Sequence, residues 1–230
     1  MDSNRHSYIK KNINQLKRLT IKSILSIIFI MMLQQFLKTT FTNVRGKKRT
    51  DALHDAILSK LKKEYPKYKN YDWEFEVSLD SDSYGGKFKI DILGINKTTG
   101  KIVVILCKCN NSNIGKNIYN MANTTLGESH RLLDGPLENK IEKILFISIF
   151  PNVAPNFKNN GTIRGWDNIA TNYKNRINTN KSLDKYFNGK VEEVNIFYDI
   201  KDMDLKNTKK DFKNIIPLNI TKIELKHETM

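Results

Sequence analysis

The stretch that most constrains this chain runs from Lys87 to Asn117, KFKIDILGINKTTGKIVVILCKCNNSNIGKN. Its opening residues, KFKIDILGI, alternate as a strand does. Asn96 to Gly100 supplies turn residues,. KIVVILCKC follows and is apolar almost throughout, so this second strand has to be covered on both faces. Asn110, Asn111 and Asn113 then open a helix,. Asp91 lies inside the first strand and Lys108 near the end of the second, so the two are expected to face each other across one ladder. A lysine at the end of so apolar a strand calls for a partner. An acid and a lysine held this way suit a divalent metal on the carboxylate and a cation near an attacked phosphate.

The segments on either side read as scaffold. Thr50 caps a helix, DALHDAILSKLKKEY, with Leu53, Ile57, Leu58 and Leu61 on one face and Pro66 as its stop,. Asp55 sits on the flank of that face, and His54 reads as a surface or flank residue. WEFEVSL alternates as a strand, placing Trp73, Phe75, Val77 and Leu79 on one face and Glu74 and Glu76 on the other,. DSDSYGG makes a hairpin turn. In the next strand Phe88, Ile90 and Ile92 face one way, and Lys87, Lys89, Asp91 and Leu93 the other. Lys108 shares a face with Ile102, Val104 and Leu106. KILFISIF is a further buried strand and VEEVNIFYDI a late one. Residues 151–190 read as a loop followed by a helix. The division expected is an extension over 1–44, an α/β domain over 45–200 and a tail over 201–230 with a short last strand or helix.

Charge is unevenly spread. Of the net +15, residues 1–50 carry +10, and the whole chain holds 32 Lys and 27 Asn. Basic proteins favour phosphate polyanions or acidic membranes; a Lys- and Asn-rich composition gives the same charge by drift. Lys47, Lys48 and Arg49 read as a phosphate-contacting arm or a solvated linker,. Asn111, Asn113, Lys116 and Arg131 are candidate phosphate contacts on the helix after Lys108. Lys158, Arg164, Trp166, Tyr173, Lys174 and Arg176 make a basic and aromatic mix that suits nucleic acid or a solvated helix. Glu128 and Arg131, three apart, read as an ordinary surface pair. The apolar run Ser23 to Leu33 is shorter than the roughly twenty residues that span a bilayer. Three readings stay open for it: a helix packed on the domain or a partner, a membrane anchor over 23–37, or an extension outside the fold. Cys107 and Cys109, two apart, are poorly placed for a disulfide and point to a reducing, intracellular setting. No phosphate-binding GxxxxGK[ST] or zinc-binding HExxH occurs,.

The order helix, strand, hairpin, strand, strand, helix, strand over roughly Thr50 to Phe150 resembles the PD-(D/E)XK nuclease superfamily, which includes restriction endonucleases and Holliday-junction resolvases. The resemblance implies a restriction-endonuclease-like mixed sheet flanked by helices. It also implies a DNA endonuclease that hydrolyses phosphodiester bonds with Mg²⁺, or Mn²⁺ in its place, and a homodimer if duplex DNA is cut. Asp91 matches the first acid of the motif and Lys108 the lysine. The second acid belongs two residues before Lys108, where this chain has Leu106. The missing carboxylate is then expected from Asp55 or Glu76, with Asp80 and Asp82 as weaker candidates. Two alternatives remain: a nuclease-fold module that binds DNA or assembles without cutting, and a structural ion pair of Asp91 with Lys108.

Overall fold

The computed structural model describes residues 51–80, 86–158, 163–169, 171–172, 186–201 and 216–225. The apolar run 23–37, the cluster Lys47, Lys48, Arg49, and Asp82 lie outside them. In chain order the elements are α1 (Asp51–Glu64), a short 3₁₀ turn (Pro66–Asn70), β1 (Tyr71–Asp80), β2 (Lys87–Asn96), β3 (Ile102–Cys109), α2 (Ile114–Leu133), β4 (Ile141–Pro151), β5 (Val153–Phe157), β6 (Ile163–Asn168), β7 (Val191–Lys201) and β8 (Ile216–Leu225). The class is α/β. One sheet runs in the order β1-β2-β3-β4-β7-β8. β1, β2 and β3 form an antiparallel meander, β3, β4 and β7 run parallel, and β8 closes the edge antiparallel to β7.

β3 is central because of its composition. Ile102 to Leu106 are all buried, and the two faces of the sheet receive alternate members. Val103 and Ile105 join Ile92, Leu145, Ile147 and Ile149 beneath Leu53, Ala56, Ile57 and Leu61 of α1. Ile102, Val104 and Leu106 join Phe88, Ile90, Ile144 and Phe146 beneath Leu132 at the end of α2. The start of α2 packs Ile114 on Phe150 and Phe197 of the same second face. Each Leu or Ile so buried contributes about 1.5–3 kcal/mol, so the two helices fix which way each residue of β3 points. On the same face Trp73 lays its ring on Gly94, its partner across the ladder. A Cβ at Gly94 would come within 2.7 Å of the Trp73 ring, so only glycine fits beneath it.

The expected alternation fails at one rung. The β1–β2 ladder runs from Phe75–Ile92 directly to Val77–Ile90. Glu76, which lies between them opposite Asp91, takes a left-handed backbone, φ 56°. Trp73 and Ile92 therefore belong to the α1 face, while Val77, Leu79, Phe88 and Ile90 belong to the α2 face. Neither strand keeps one apolar set along its length, as simple alternation predicts. One further expectation changes. Val153–Phe157 and Ile163–Asn168 pair as a separate two-stranded antiparallel sheet, β5–β6, where a loop was expected. Within the tail, the last element expected as a short strand or helix is a strand, β8, at the edge of the sheet.

Candidate functional site

The site lies where β2 and β3 part. Their pairing runs from Ile95–Ile102 to Ile92–Ile105. One residue further on, the Asp91 side chain replaces the ladder: its Oδ2 accepts the backbone N–H of Cys107 at 2.6 Å. A buried N–H at the end of a ladder needs such an acceptor. Burial raises the Asp91 carboxyl above its ordinary value, opposed by that N–H bond and by His54 and Lys108 nearby. Burial and the neighbouring Asp91 push the Cys107 thiol well up,.

α1 brings His54 to the same place. Its side chain is 1% exposed, its ring stacks on Phe75 at 5.9 Å and 24°, and Nδ1 lies 3.8 Å from Glu76 Oε1. Nε2 is buried without a hydrogen-bond partner. One donor atom each from His54, Asp91 and Cys107 lie within 4.8 Å of one another. Glu76 also pairs with Lys89 on β2.

Lys108 alternates to the other face. Its Nζ donates to Glu128 Oε1 of α2 at 2.9 Å, and Glu128 Oε2 is buried without a hydrogen-bond partner. Lys108 makes no ion pair with Asp91, although its charge lowers the Asp91 pKa. Leu106, two residues earlier on that face, is 2% exposed within the second core. The expectation that Asp91 and Lys108 face each other thus gives way to two neighbouring clusters, one on each side of β3.

The other expected residues fall as follows. Asp55 is exposed and outside both clusters, one residue past the buried His54. Asp80 is exposed at the far end of β1. Asn111 Oδ1 accepts the Tyr198 hydroxyl at 2.7 Å, and Asn113 Oδ1 accepts the Phe157 N–H at 2.8 Å, so both amides are used inside the fold. Arg131 lies over the Phe88 ring, Cζ 5.3 Å from its centroid. Lys116 is in the first turn of α2, and its side chain lies outside the described residues, as do Tyr173, Lys174 and Arg176. Lys158 and Arg164 are exposed. A cavity of about 490 Å³ opens between the 3₁₀ turn, α1 and β4, lined by Ile57, Tyr68, Lys143 and Ile196; it holds no member of either cluster.

His54, Cys107 and Glu128 were not among the residues expected to do chemistry. Helical spacing carries the signal for two of them. His54 stands three and four residues before Ile57 and Leu58, inside the apolar stripe, and Glu128 stands four before Leu132,.

No family model matches this chain, and no curated protein matches it. It is similar to a solved structure titled as a protein of unknown function, at 17% identity and a TM-score of 0.26, over 45% of this chain and 46% of that one. The match thus spans less than half of that protein. Among the described residues no helix is long and apolar enough to cross a membrane.

A hard divalent ion such as Mg²⁺ takes one or two carboxylates and keeps several waters. Two carboxylates flank the end of β3, Asp91 on the α1 side and Glu128 on the α2 side. Asp91 has one oxygen engaged by Cys107, and Glu128 has a buried oxygen with no hydrogen-bond partner. Asp55 is exposed and lies outside both clusters, and Glu76 pairs with Lys89.

Proposed function

We propose that this chain is a metal-dependent DNA endonuclease of the PD-(D/E)XK type, in which the acid missing at Leu106 is supplied by Glu128 from α2. The observation that carries this reading is the Lys108–Glu128 contact of 2.9 Å with the second Glu128 oxygen buried and unpartnered. A carboxylate so placed is costly to bury unless something positive completes its bonding. Support comes also from the element order. A helix, an antiparallel three-strand meander, a second helix and a strand parallel to the third follow the plan that the sequence resemblance implies, and with it a restriction-endonuclease-like core.

In this reading Asp91 and Glu128 are the carboxylates that would hold Mg²⁺ or Mn²⁺ at the end of β3, and the ion would supply Lewis-acid polarisation of the scissile phosphate and of the attacking water. Lys108 places its ammonium beside the developing phosphorane charge. Cys107 N–H fixes the Asp91 carboxylate, and Glu128 fixes the lysine. The net positive charge of the chain, concentrated before residue 51, draws the phosphate backbone,.

The second reading, a nuclease-fold module that binds DNA without cutting it, is favoured by one observation: Leu106 is walled into the second core, where no metal ligand can replace it. The test is nicking of supercoiled and four-way branched DNA by the full chain with Mg²⁺ or Mn²⁺, beside Asp91→Ala and Lys108→Ala. Metal-dependent nicking abolished in both variants supports the endonuclease. Steeply salt-dependent binding, indifferent to Mg²⁺ and without nicking, replaces it with the binding module.

A further inference from the structure

The cluster on the α1 side of β3 plays no part in that reading except through Asp91, and its chemistry differs. We infer that His54, Asp91 and Cys107 form a binding site for a borderline-soft divalent ion of the zinc class, tying α1 to β2 and β3 where the two strands separate.

The donor set argues for it first. An imidazole nitrogen, a carboxylate oxygen and a thiol sulfur lie within 4.8 Å of one another. That combination suits Zn²⁺ or Co²⁺, which accept nitrogen and sulfur, and not Mg²⁺, which asks for oxygen. Each donor comes from a different element, so an ion bound there links three parts of the fold.

The second argument is independent of proximity. His54 is buried, and its Nε2 has no hydrogen-bond partner. A buried ring nitrogen left unpaired costs about 1–3 kcal/mol, and a metal bond removes that cost. Nδ1 is turned toward Glu76 Oε1 at 3.8 Å. That leaves Nε2 for the ion and puts a carboxylate behind the imidazole, as zinc-binding histidines commonly have. Phe75 stacks on the ring and limits its rotation. Cys109, the other thiol, is occupied: its Sγ lies 3.4 Å from Asn111 Oδ1. With three protein ligands the fourth position of a tetrahedral site falls to water.

Binding balances simply. Cys107 gives up its thiol proton to solvent as the metal–sulfur bond forms, and His54 binds as the neutral imidazole with no change of oxidation state. Because the endonuclease reading also takes Asp91 as a metal ligand, occupancy by zinc withdraws it from the hydrolytic centre proposed above, and only that consequence rests on that reading.

The test uses the full chain stripped of metal by chelation and then titrated with Co²⁺ and with Zn²⁺. The expected result is a thiolate-to-cobalt charge-transfer absorption that saturates at one equivalent and is displaced by Zn²⁺. It should vanish in Cys107→Ser, and His54→Gln should weaken binding at least tenfold. Cys109→Ser and Glu128→Gln should keep it. A second measurement needs no variant: Zn²⁺ should protect Cys107, and not Cys109, from alkylation in the wild-type chain, read by peptide mass. Absence of the absorption together with unchanged alkylation overturns the inference, and so does an absorption that follows Cys109. Cobalt binding without DNA cleavage leaves this site standing and removes the endonuclease; cleavage without cobalt binding does the reverse.

Discussion

The two sides of β3 at its C-terminal end differ by one residue in sequence and by everything in chemistry. On the α1 side, Cys107 faces a buried imidazole and the half-buried Asp91 carboxyl. On the α2 side, Lys108 meets Glu128 in a half-exposed ion pair above Leu106. A strand sends successive side chains to opposite faces, so a tripeptide such as Leu106-Cys107-Lys108 serves two sites at once. The lesson is that a motif written as residues two apart names one face only. The residue between them belongs to whatever the other helix brings. Here α1 brings a histidine, and α2 brings a glutamate to Lys108.

The largest effect that can break this comparison falls on Leu106. Leu106→Ala should lower stability by about 2–5 kcal/mol, the cost of a cavity in a closed core, read by denaturant unfolding. A loss below about 1 kcal/mol would mean that the α2 face is open at this point and that position 106 borders the site.

The Lys108–Glu128 pair comes next. Glu128→Gln keeps the shape and removes the charge of a partly solvated pair, so it should cost about 1 kcal/mol of stability while abolishing metal-dependent nicking. Unfolding melts and cleavage measured on the same preparation separate the two. Loss of activity equal only to loss of folded protein would reduce the pair to a scaffold.

Smaller still is the effect of Glu76. Glu76→Gln leaves both clusters assembled but weakens the carboxylate behind His54. Zinc affinity should fall about 10–100-fold, with nicking by Mg²⁺ little changed. A fall in nicking with zinc affinity untouched would move Glu76 from the α1 cluster to the hydrolytic one.

The smallest effect is on the rim of the α1 face. The Tyr71 hydroxyl and Lys67 hold the Glu142 carboxyl below its ordinary range. A depressed acid contributes stability above its unfolded pKa, near 4.3, and loses it as pH falls through the lower folded value. The stability difference between wild type and Glu142→Gln should therefore be full at neutral pH, shrink below about pH 4.3, and stay under about 1 kcal/mol because the pair is solvated. A difference that grows on acidification would show that the acid is not held this way.

Much of this was legible in the sequence, and for definite reasons. The apolar run of β3 required cover on both faces, and it has it. Pro66, the Asn96 to Gly100 turn and the asparagines after Cys109 mark boundaries that hold within a residue or two. What could not be read was the turnover at Glu76 and Asp91. It depends on one left-handed residue and on a side chain replacing a ladder bond, and neither leaves a periodic trace. The change of partner for Lys108 was hidden for another reason: Glu128 is twenty residues further along, on a helix whose rotation is fixed only when Ile118 and Leu132 find the sheet.

The most direct measurement of the central claim compares Glu128→Gln with Asp55→Asn in nicking of supercoiled DNA by the full chain with Mg²⁺. The expected result is activity in wild type and in Asp55→Asn, and none in Glu128→Gln at equal folded concentration. Nicking that survives Glu128→Gln and disappears in Asp55→Asn would contradict the account, because it would put the second acid on α1 and leave the buried Glu128 oxygen without a purpose.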